Sequence, residues 1–375
     1  FSAEKSIESS RVFNRKDKNG DFTPYYEYRD TAISKLSPFK PEWIKQLRIV
    51  NNSNPLNPDI AYNNGHFLHQ TTFFYGPVNF YYEINGVKHC KEMNTGDSNY
   101  ITPYIPHSFA SRDNSKEAYI IAVTFGGDVR RALKELYAIG GDRTKKYVLD
   151  LQDSGVSTAQ IINQHMLNEN ITRSMLENIL YQKNINIDVK GILDKQKGAS
   201  KAELEELSNI FNIEPTELNV PCFRDDELVV VCRKKETQPQ FFPDASKKIY
   251  KIYNLARARK LSGFKGFDIE VLADNISEDN LFESSLHSYV NNYGDQTVTL
   301  VWEYEGKIYK KKLGSNDSVT IQPFVKYGFE VIPPVIGRIC LVRVNGSVNY
   351  STQKELSHFL SASRVAKENQ CWFES

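Results

Sequence analysis

The sequence predicts a mainly β protein with α-helices, in which two β-barrels are joined by a helical domain. Short runs of β-branched and aromatic residues, separated by Gly, Asn, Asp and Pro, extend from Tyr25 to Thr124. Helical spacing of apolar residues begins at Asp128 with "DVRRALKELYAI" and continues to about Val220. Strand-like text resumes after Cys222. We therefore predict three domains, with the bounds 1–138, 139–222 and 223–375.

Charge and composition exclude several classes of protein. The chain has 375 residues, and its 47 basic and 46 acidic side chains give a formal net charge of +1, which creates no global field for nucleic acid or an anionic membrane. No apolar run approaches the length of a membrane span, so we expect no membrane partner. The five cysteines show neither zinc-type spacing nor a disulfide framework, which predicts a reducing, cytoplasmic location.

The two β-regions look like copies of one unit. Within the first, several strand-like runs follow at a spacing typical of a barrel or sandwich, namely "VNFYYEING", "TGDSNYITPYIPHSF" and "EAYIIAVTF". Its entry pattern, "YYEYRDTAIS" followed by "FKPEWIKQLRIV", is repeated later in the chain as "IYKIYNLARA" followed by "FKGFDIEVLA". This repetition indicates a duplicated β-unit on either side of the helical domain.

The text between the β-regions predicts several short helices with tight turns, ending in "LEELSNIFNIEPTEL". The pattern resembles helix-turn-helix domains of the repressor type. It mixes the acidic run "AELEEL" with its lysines, however, and shows no strong basic recognition face. We therefore expect a linker or packing domain, and DNA is not an expected partner.

The stretch "AYNNGHFLHQTTFFYGP" holds two histidines and a glutamine in otherwise strand-like text. Three interpretations of these polar residues are open: they are ordinary surface residues, they include a core histidine that is hydrogen-bonded to its neighbours, or they form a metal site. Residues two or four apart share one face of a strand. His66 and Gln70 should therefore face together, whereas His69 should face away and act as a supporting or packing residue.

A second run, "GDSNYITPYIPHSF", lies about forty residues later. Its spacing of Gly, Pro and Pro-His is similar to the second metal motif of cupins, β-barrels of the double-stranded β-helix type that hold a metal on inward-facing residues. The resemblance implies tandem cupin barrels and an inward set of His66, Gln70 and His107. Two histidines with one carboxylate are typical of non-haem Fe(II) oxygenases, so the neutral Gln70 should bind metal more weakly. An anionic, chelating substrate would restore the charge balance.

The second β-region lacks these motifs. Its run "IQPFVKYGFE" offers Lys326 and Tyr327 where the first region has His107, and His287 has no partner nearby. We expect this region to be a degenerate, metal-free barrel.

The combination of "NNGH", "GP" and "TGDSxxxxPxxPHSF" with a helical domain resembles the phosphonate dioxygenases. The resemblance implies Fe(II)- and O₂-dependent cleavage of the carbon–carbon bond of 2-hydroxyethylphosphonate. In one branch a glutamate ligand lies six residues before the second histidine, a position held here by Ile101. In another a glutamine lies four residues after the first histidine, which matches Gln70. The match implies methylphosphonate with bicarbonate or CO₂ as products, whereas the first branch would give hydroxymethylphosphonate and formate.

The resemblance also implies substrate contacts. Asn63 and Tyr28 match positions that hold the phosphonate, and Tyr28 is included with Gln70 among the expected catalytic residues. A cationic contact falls at Arg15 or Lys16, for which a solvated basic loop is the alternative. The family also has an N-terminal helical domain with a lysine that reaches the active site, and this sequence begins about where that domain would end. The oligomeric state, including a homo-oligomer, stays open.

Two other functions compete with the oxygenase. A ligand-sensing regulator would combine the helix-turn-helix-like domain with an effector-binding cupin, and it predicts a basic recognition face. A zinc-dependent cupin isomerase acting on phosphorylated sugars would also suit histidine and glutamine ligands, and metal analysis after anaerobic purification would separate it from an iron enzyme.

Overall fold

A computed structural model describes residues 1–150, 153–195, 197–220, 227–274, 276–359 and 361–373. The chain forms two compact units. One is rich in β-strands and combines Phe1–Asp128 with Leu228–Ser375, and the other is helical and spans Val129–Glu227. The protein is therefore mainly β with α-helices, as the sequence predicts.

The first β-region begins with helix α1 (Ala3–Glu8) and consists of two antiparallel sheets. Its strands are β1 (Arg11–Lys16), β2 (Phe22–Asp30), β3 (Phe39–Gln46), β4 (His69–Tyr75), β5 (Val78–Ile84), β6 (Val87–Met93), β7 (Ser98–Ile101), β8 (His107–Ser111) and β9 (Tyr119–Phe125). A later strand, β10 (Val229–Cys232), joins them by pairing with β7. The larger sheet has the order β1-β2-β3-β9-β4-β7-β10, and the smaller has the order β6-β5-β8.

The helical unit encloses a core of its own, which includes Ile162, Leu176, Leu207 and Phe211. Its helices are α2 (Asp128–Ile139), α3 (Gly141–Thr144), α4 (Ser154–Asn168), α5 (Arg173–Gln182), α6 (Val189–Leu193) and α7 (Lys201–Phe211). Polar N-caps explain where the later helices begin, because their side chains accept hydrogen bonds from free backbone N–H groups: Asp153, Thr172, Asp188 and Ser200. None of the helices among the described residues is long and apolar enough to cross a membrane.

The second β-region repeats the arrangement of the first and ends in helices α8 (Tyr350–Leu356) and α9 (Ala362–Phe373). Its strands are β11 (Gln240–Phe242), β12 (Tyr250–Asn254), β13 (Phe264–Val271), β14 (His287–Asn292), β15 (Val298–Tyr304), β16 (Lys307–Leu313), β17 (Ser318–Ile321), β18 (Tyr327–Glu330) and β19 (Gly337–Val344). The sheet orders are β11-β12-β13-β19-β14-β17 and β16-β15-β18.

The central strand β9 shows why its text, "YIIAVTF", is apolar without alternation. Ile120 and Ala122 face the space between the two sheets of the first region. Ile121 and Val123 face the other way and join a core that includes Tyr289 and other residues of the second region. A strand buried on both faces is apolar at every position.

The two β-regions therefore share a core. Phe73 packs on Tyr293 and Phe125 on Phe264, with ring centroids 4.6 and 5.1 Å apart. The structure groups Phe1–Asp128 and Leu228–Ser375, which make up most of the predicted domains 1–138 and 223–375, in one compact unit, so the independence of the two domains stays a prediction. The helical unit begins at Val129 rather than at residue 139. The predicted boundary after Cys222 lies outside the described residues.

Candidate active site

His66 and His107 lie close together at one end of the first β-region, with ring centroids 5.2 Å apart and ring planes nearly perpendicular, at 87°. His107 is the first residue of β8 and is almost fully buried. His66 is not in a strand, which corrects the period-two argument, because β4 begins only at His69. Gly65 explains the loop: its φ is +73°, and a Cβ there would lie 2.5 Å from the backbone carbonyl carbon of Tyr104.

Backbone carbonyl groups determine which nitrogen of each imidazole carries the proton. Nδ1 of His66 lies 2.7 Å from the carbonyl oxygen of Leu68, and Nδ1 of His107 lies 2.8 Å from that of Ile105. A carbonyl oxygen can only accept, so each Nδ1 donates and each neutral ring keeps a lone pair on Nε2. This tautomer is the one that metal-binding histidines adopt, with the second nitrogen held by an outer partner.

Gln70 completes this arrangement. Its Oε1 lies 3.0 Å from Nε2 of His66, and its own Nε2 donates to Oγ1 of Thr72 at 2.9 Å. With a neutral imidazole, two atoms that both present lone pairs face each other at this partly buried position, which is unfavourable unless a cation lies between them. The two imidazole nitrogens and the amide oxygen are ligand types that suit a divalent transition metal. No group of three His, Cys, Asp or Glu side chains within the described residues could hold a metal ion, so this candidate set depends on the amide.

Asn63 is held beside His107 by backbone bonds. Its Oδ1 accepts from the N–H groups of Gly65 and His107, at 2.9 Å each. Its Nδ2 lies 3.1 Å from Nε2 of His107 and donates to that lone pair. The amide is therefore oriented with its oxygen toward the backbone and its NH₂ group toward His107.

Tyr28 lies on β2 and packs against Phe13 and Tyr26, with ring centroids 4.8 and 5.9 Å away. Burial raises the pKa of Tyr28 to about 12, with a further increase from the charge of Glu42 and an opposing effect of Arg15. The phenol therefore stays protonated at neutral pH and can donate a hydrogen bond.

Arg15 and Lys16 lie on the exposed strand β1, whereas the sequence left a solvated loop as the alternative. The charge of Arg15 is close enough to affect the pKa of Tyr28. Lys16 lies against the ring of Phe22, with Nζ 5.8 Å from the ring centroid. Of the two candidate cations, Arg15 is the one whose charge acts on the pKa of Tyr28.

Ile101 is the direct cross-strand partner of Gln70 and is fully buried. His69 faces away from Gln70, because its ring stacks on Tyr100 and Phe125 and its Nδ1 lies 2.7 Å from the Tyr100 hydroxyl. Burial lowers the pKa of His69 to about 4, and the nearby Lys260 acts in the same direction. His69 thus packs against aromatic rings, and its supporting role stays a prediction, while Ile101 places an apolar side chain beside the amide.

Sequence reasoning missed the groups that hold these side chains. The carbonyls of Leu68 and Ile105 belong to the backbone and have no sequence signature. The position of Thr72 could have been predicted from the sequence, because it lies two residues after Gln70 and so shares its face of β4.

Comparison with known proteins shows the family to which the chain belongs. No family model matches it. A curated relative, methylphosphonate synthase of Nitrosopumilus maritimus (strain SCM1), is 36% identical over 387 residues, which cover 100% of this chain and 80% of the relative. This chain belongs to the methylphosphonate synthase family.

Solved structures agree with membership of the methylphosphonate synthase family. The hydroxyethylphosphonate dioxygenase of Streptomyces albus, solved with 2-hydroxyethylphosphonate and Fe(II), has a TM-score of 0.86 and 28% identity, with 97% of this chain and 79% of that chain covered. PhpD, solved with cadmium, has a TM-score of 0.75 at 17% identity over 99% of this chain and 84% of that one, which shows a shared fold alone.

Proposed function

We propose that the protein is a non-haem iron oxygenase that cleaves the carbon–carbon bond of 2-hydroxyethylphosphonate with O₂ and yields methylphosphonate and bicarbonate or CO₂. One observation carries this proposal: Oε1 of Gln70 lies 3.0 Å from Nε2 of His66, and the His66 and His107 rings, each with Nδ1 on a backbone carbonyl, lie with centroids 5.2 Å apart. The relative named methylphosphonate synthase and the dioxygenase solved with 2-hydroxyethylphosphonate and Fe(II) support the choice of metal and substrate.

The fold supports the same proposal. Each β-region is a pair of antiparallel sheets, which supports our proposal of tandem cupins, of which the first would hold the metal. The helical unit keeps its interpretation as a helix-turn-helix-like packing domain, and a cytoplasmic location stays a prediction.

His66, His107 and Gln70 would hold Fe(II) through Nε2, Nε2 and Oε1. Bound Fe(II) would supply O₂ activation and a positive charge for the hydroxyl and phosphonate oxygens of the substrate. Because Gln70 is neutral, the three protein ligands leave the full charge of the metal for the dianionic substrate. A carboxylate in its place would withdraw one unit of that charge.

The remaining residues bind and orient the substrate. Asn63 keeps its oxygen on two backbone N–H groups, which holds its NH₂ group beside His107, where it can donate to a phosphonate oxygen once a metal takes the histidine lone pair. Tyr28, protonated because its pKa is about 12, donates a hydrogen bond, and Arg15 supplies a positive charge. Ile101 provides neither charge nor donor and excludes water beside Gln70.

The test is anaerobic loading with Fe(II), addition of 2-hydroxyethylphosphonate and O₂, and phosphorus NMR of the products. A methylphosphonate signal that depends on Fe(II) is the expected result. Hydroxymethylphosphonate with formate would instead assign the chain the reaction of the dioxygenase, which the structural match favours as the second candidate. Turnover of neither kind with Fe(II), together with Zn²⁺ in anaerobically purified protein, would contradict the proposal.

A further inference from the structure

The amide of Gln70 has two chemically different ends, and only its oxygen can bind a cation. We propose that Thr72 is a positioning residue that holds this oxygen toward the histidines. The inference rests on the proposed function, in which Oε1 of Gln70 is a metal ligand. Beyond the proposed function, we assign to the Thr72 hydroxyl the role of keeping Oε1 of Gln70 available to the metal.

Geometry connects the two side chains directly. Gln70 and Thr72 lie two residues apart on β4 and so share the face that looks between the sheets. Thr72 is fully buried, and its Oγ1 accepts from Nε2 of Gln70 at 2.9 Å. With that N–H group satisfied, the other end of the amide, Oε1, faces His66 at 3.0 Å.

The reverse orientation explains why the hydroxyl matters. If the amide turned over, its NH₂ group would donate to the lone pair on Nε2 of His66, and the Thr72 hydroxyl would donate to Oε1. All hydrogen bonds would then be satisfied, but N–H protons would occupy the place of the cation. A hydroxyl can accept as well as donate, so it also satisfies Nε2 of Gln70 in the oxygen-inward orientation that a metal needs. A methyl group cannot.

Replacing the hydroxyl should therefore favour the orientation that excludes metal. In Thr72→Val, Nε2 of Gln70 would be buried without an acceptor if the oxygen stayed inward, and turning the amide over would relieve this. The equivalent positions of the second β-region support a connection between Thr72 and Gln70. Counted along the strand pairing, Val290 lies where Thr72 does and Ser288 where Gln70 does, so a region without the amide also lacks the hydroxyl.

The experiment titrates the metal-free full chain with Co(II), which tolerates O₂, and follows visible absorption and heat. Thr72→Val should weaken Co(II) binding about 10–100-fold, as the loss of an outer partner typically does. Thr72→Ser keeps the hydroxyl and should bind Co(II) within about twofold of wild type. Thermal unfolding of each variant checks the fold, and Thr72→Ala replaces Thr72→Val if the valine variant does not fold.

A double-mutant cycle separates orientation from general packing. In Gln70→Glu both ends of the side chain are oxygens, so there is no wrong end for Thr72 to prevent. The difference between Val and Ser at position 72 should therefore shrink to about twofold in that background. An equally large difference in both backgrounds would overturn the positioning role, because the hydroxyl would then act independently of the amide.

The same titration distinguishes failure of this inference from failure of the proposed function. If Gln70→Ala binds Co(II) as tightly as wild type, Gln70 is not a ligand and the proposed metal site is wrong. If Gln70→Ala binds weakly but Thr72→Val binds like wild type, the metal site stands and only the role of Thr72 is overturned.

Discussion

The two β-regions share one strand arrangement but place different chemistry at equivalent positions. In the first, Gln70 pairs across the strands with Ile101, and in the second, Ser288 pairs with Ile321. The isoleucine is kept while the amide is replaced by a short hydroxyl. Within this cross-strand pair, the two regions therefore differ only in the polar residue.

The counterpart of His107 is Tyr327, since these residues pair with Tyr82 and Trp302 at matching places in the smaller sheets. The hydroxyl of Tyr327 accepts from Nη2 of Arg343 at 2.9 Å and lies 3.1 Å from Oγ of Ser288, to which it can donate. The guanidinium also lies 5.7 Å from the centroid of the Tyr327 ring.

The comparison teaches that a candidate metal site is recognised by lone pairs that the protein leaves facing one another. In the first region, Nε2 of His66 faces Oε1 of Gln70 at 3.0 Å, while Nδ1 of His66 lies on the carbonyl of Leu68. In the second, the donors of Arg343 and the hydroxyls of Tyr327 and Ser288 satisfy one another. One fold thus carries a candidate cation site in one copy and a hydrogen-bonded cluster in the other.

The largest expected effect comes from removing a histidine of the first region. His107→Ala should lower Fe(II) affinity at least about a hundred-fold, because losing a ligand costs more than the 10–100-fold typical of outer partners. The matched change in the second region, Tyr327→Phe, should leave bound iron unchanged. Iron per chain after anaerobic loading and desalting measures both. Equal iron in wild type and His107→Ala would contradict the assignment of the site.

A charge change should separate metal binding from substrate binding. Gln70→Glu adds a negative charge beside the metal, so Fe(II) should bind more tightly and dianionic 2-hydroxyethylphosphonate about tenfold or more weakly. Anaerobic calorimetry gives both affinities. The control Ser288→Asp adds the same charge to the second region and should change neither. A Gln70→Glu variant with both affinities unaltered would show that the side chain faces no metal.

The shared core offers a test of pH dependence. Asp268 occupies the place that Trp43 has in the first region, as their pairing with Cys340 and Ile121 shows. Its Oδ2 lies 2.7 Å from Nζ of Lys234, yet burial raises its pKa above the ordinary value of 3.8. The folded state therefore binds the proton more tightly than the unfolded state. The resulting stabilisation is fully present below the unfolded pKa of Asp268 and is lost as the pH rises through its folded pKa.

Asp268→Asn removes this titration. We compare the free energy of unfolding of wild type with that of Asp268→Asn. The wild-type value minus the variant value should fall as the pH rises from about 4 to 7, by about 1.4 kcal/mol for each pH unit by which the folded pKa of Asp268 exceeds the unfolded pKa. Urea unfolding at several pH values measures the difference. If it rises with pH instead, the attraction of Lys234 outweighs burial.

The smallest effect is expected within the hydrogen-bonded cluster of the second region. Ser288→Ala removes one bond to Tyr327 and should lower the free energy of unfolding by about 1 kcal/mol, with no change in bound iron. Denaturant unfolding and metal analysis measure the two quantities. A loss of iron in Ser288→Ala would show that the second region takes part in metal binding.

Much of the fold and of the site residues could be predicted from local text. Alternating and apolar runs indicated most strands, and the N-cap residues account for the helix starts. The motifs around His66 and His107 indicated which side chains to bring together, and the structure does bring them together. Strand β1 was missed, because "RVFNRK" is exposed along its whole length and has no apolar alternation.

What the sequence determined by itself is chemical identity: two histidines, an amide in place of a carboxylate, and Ile101 where one branch of the family has glutamate. The tertiary structure decided orientation. The carbonyls of Leu68 and Ile105 accept from Nδ1 of the two histidines, and Thr72 accepts from Nε2 of Gln70, whose oxygen faces His66. These contacts depend on backbone positions and on side chains brought together by folding, so residue type alone does not encode them.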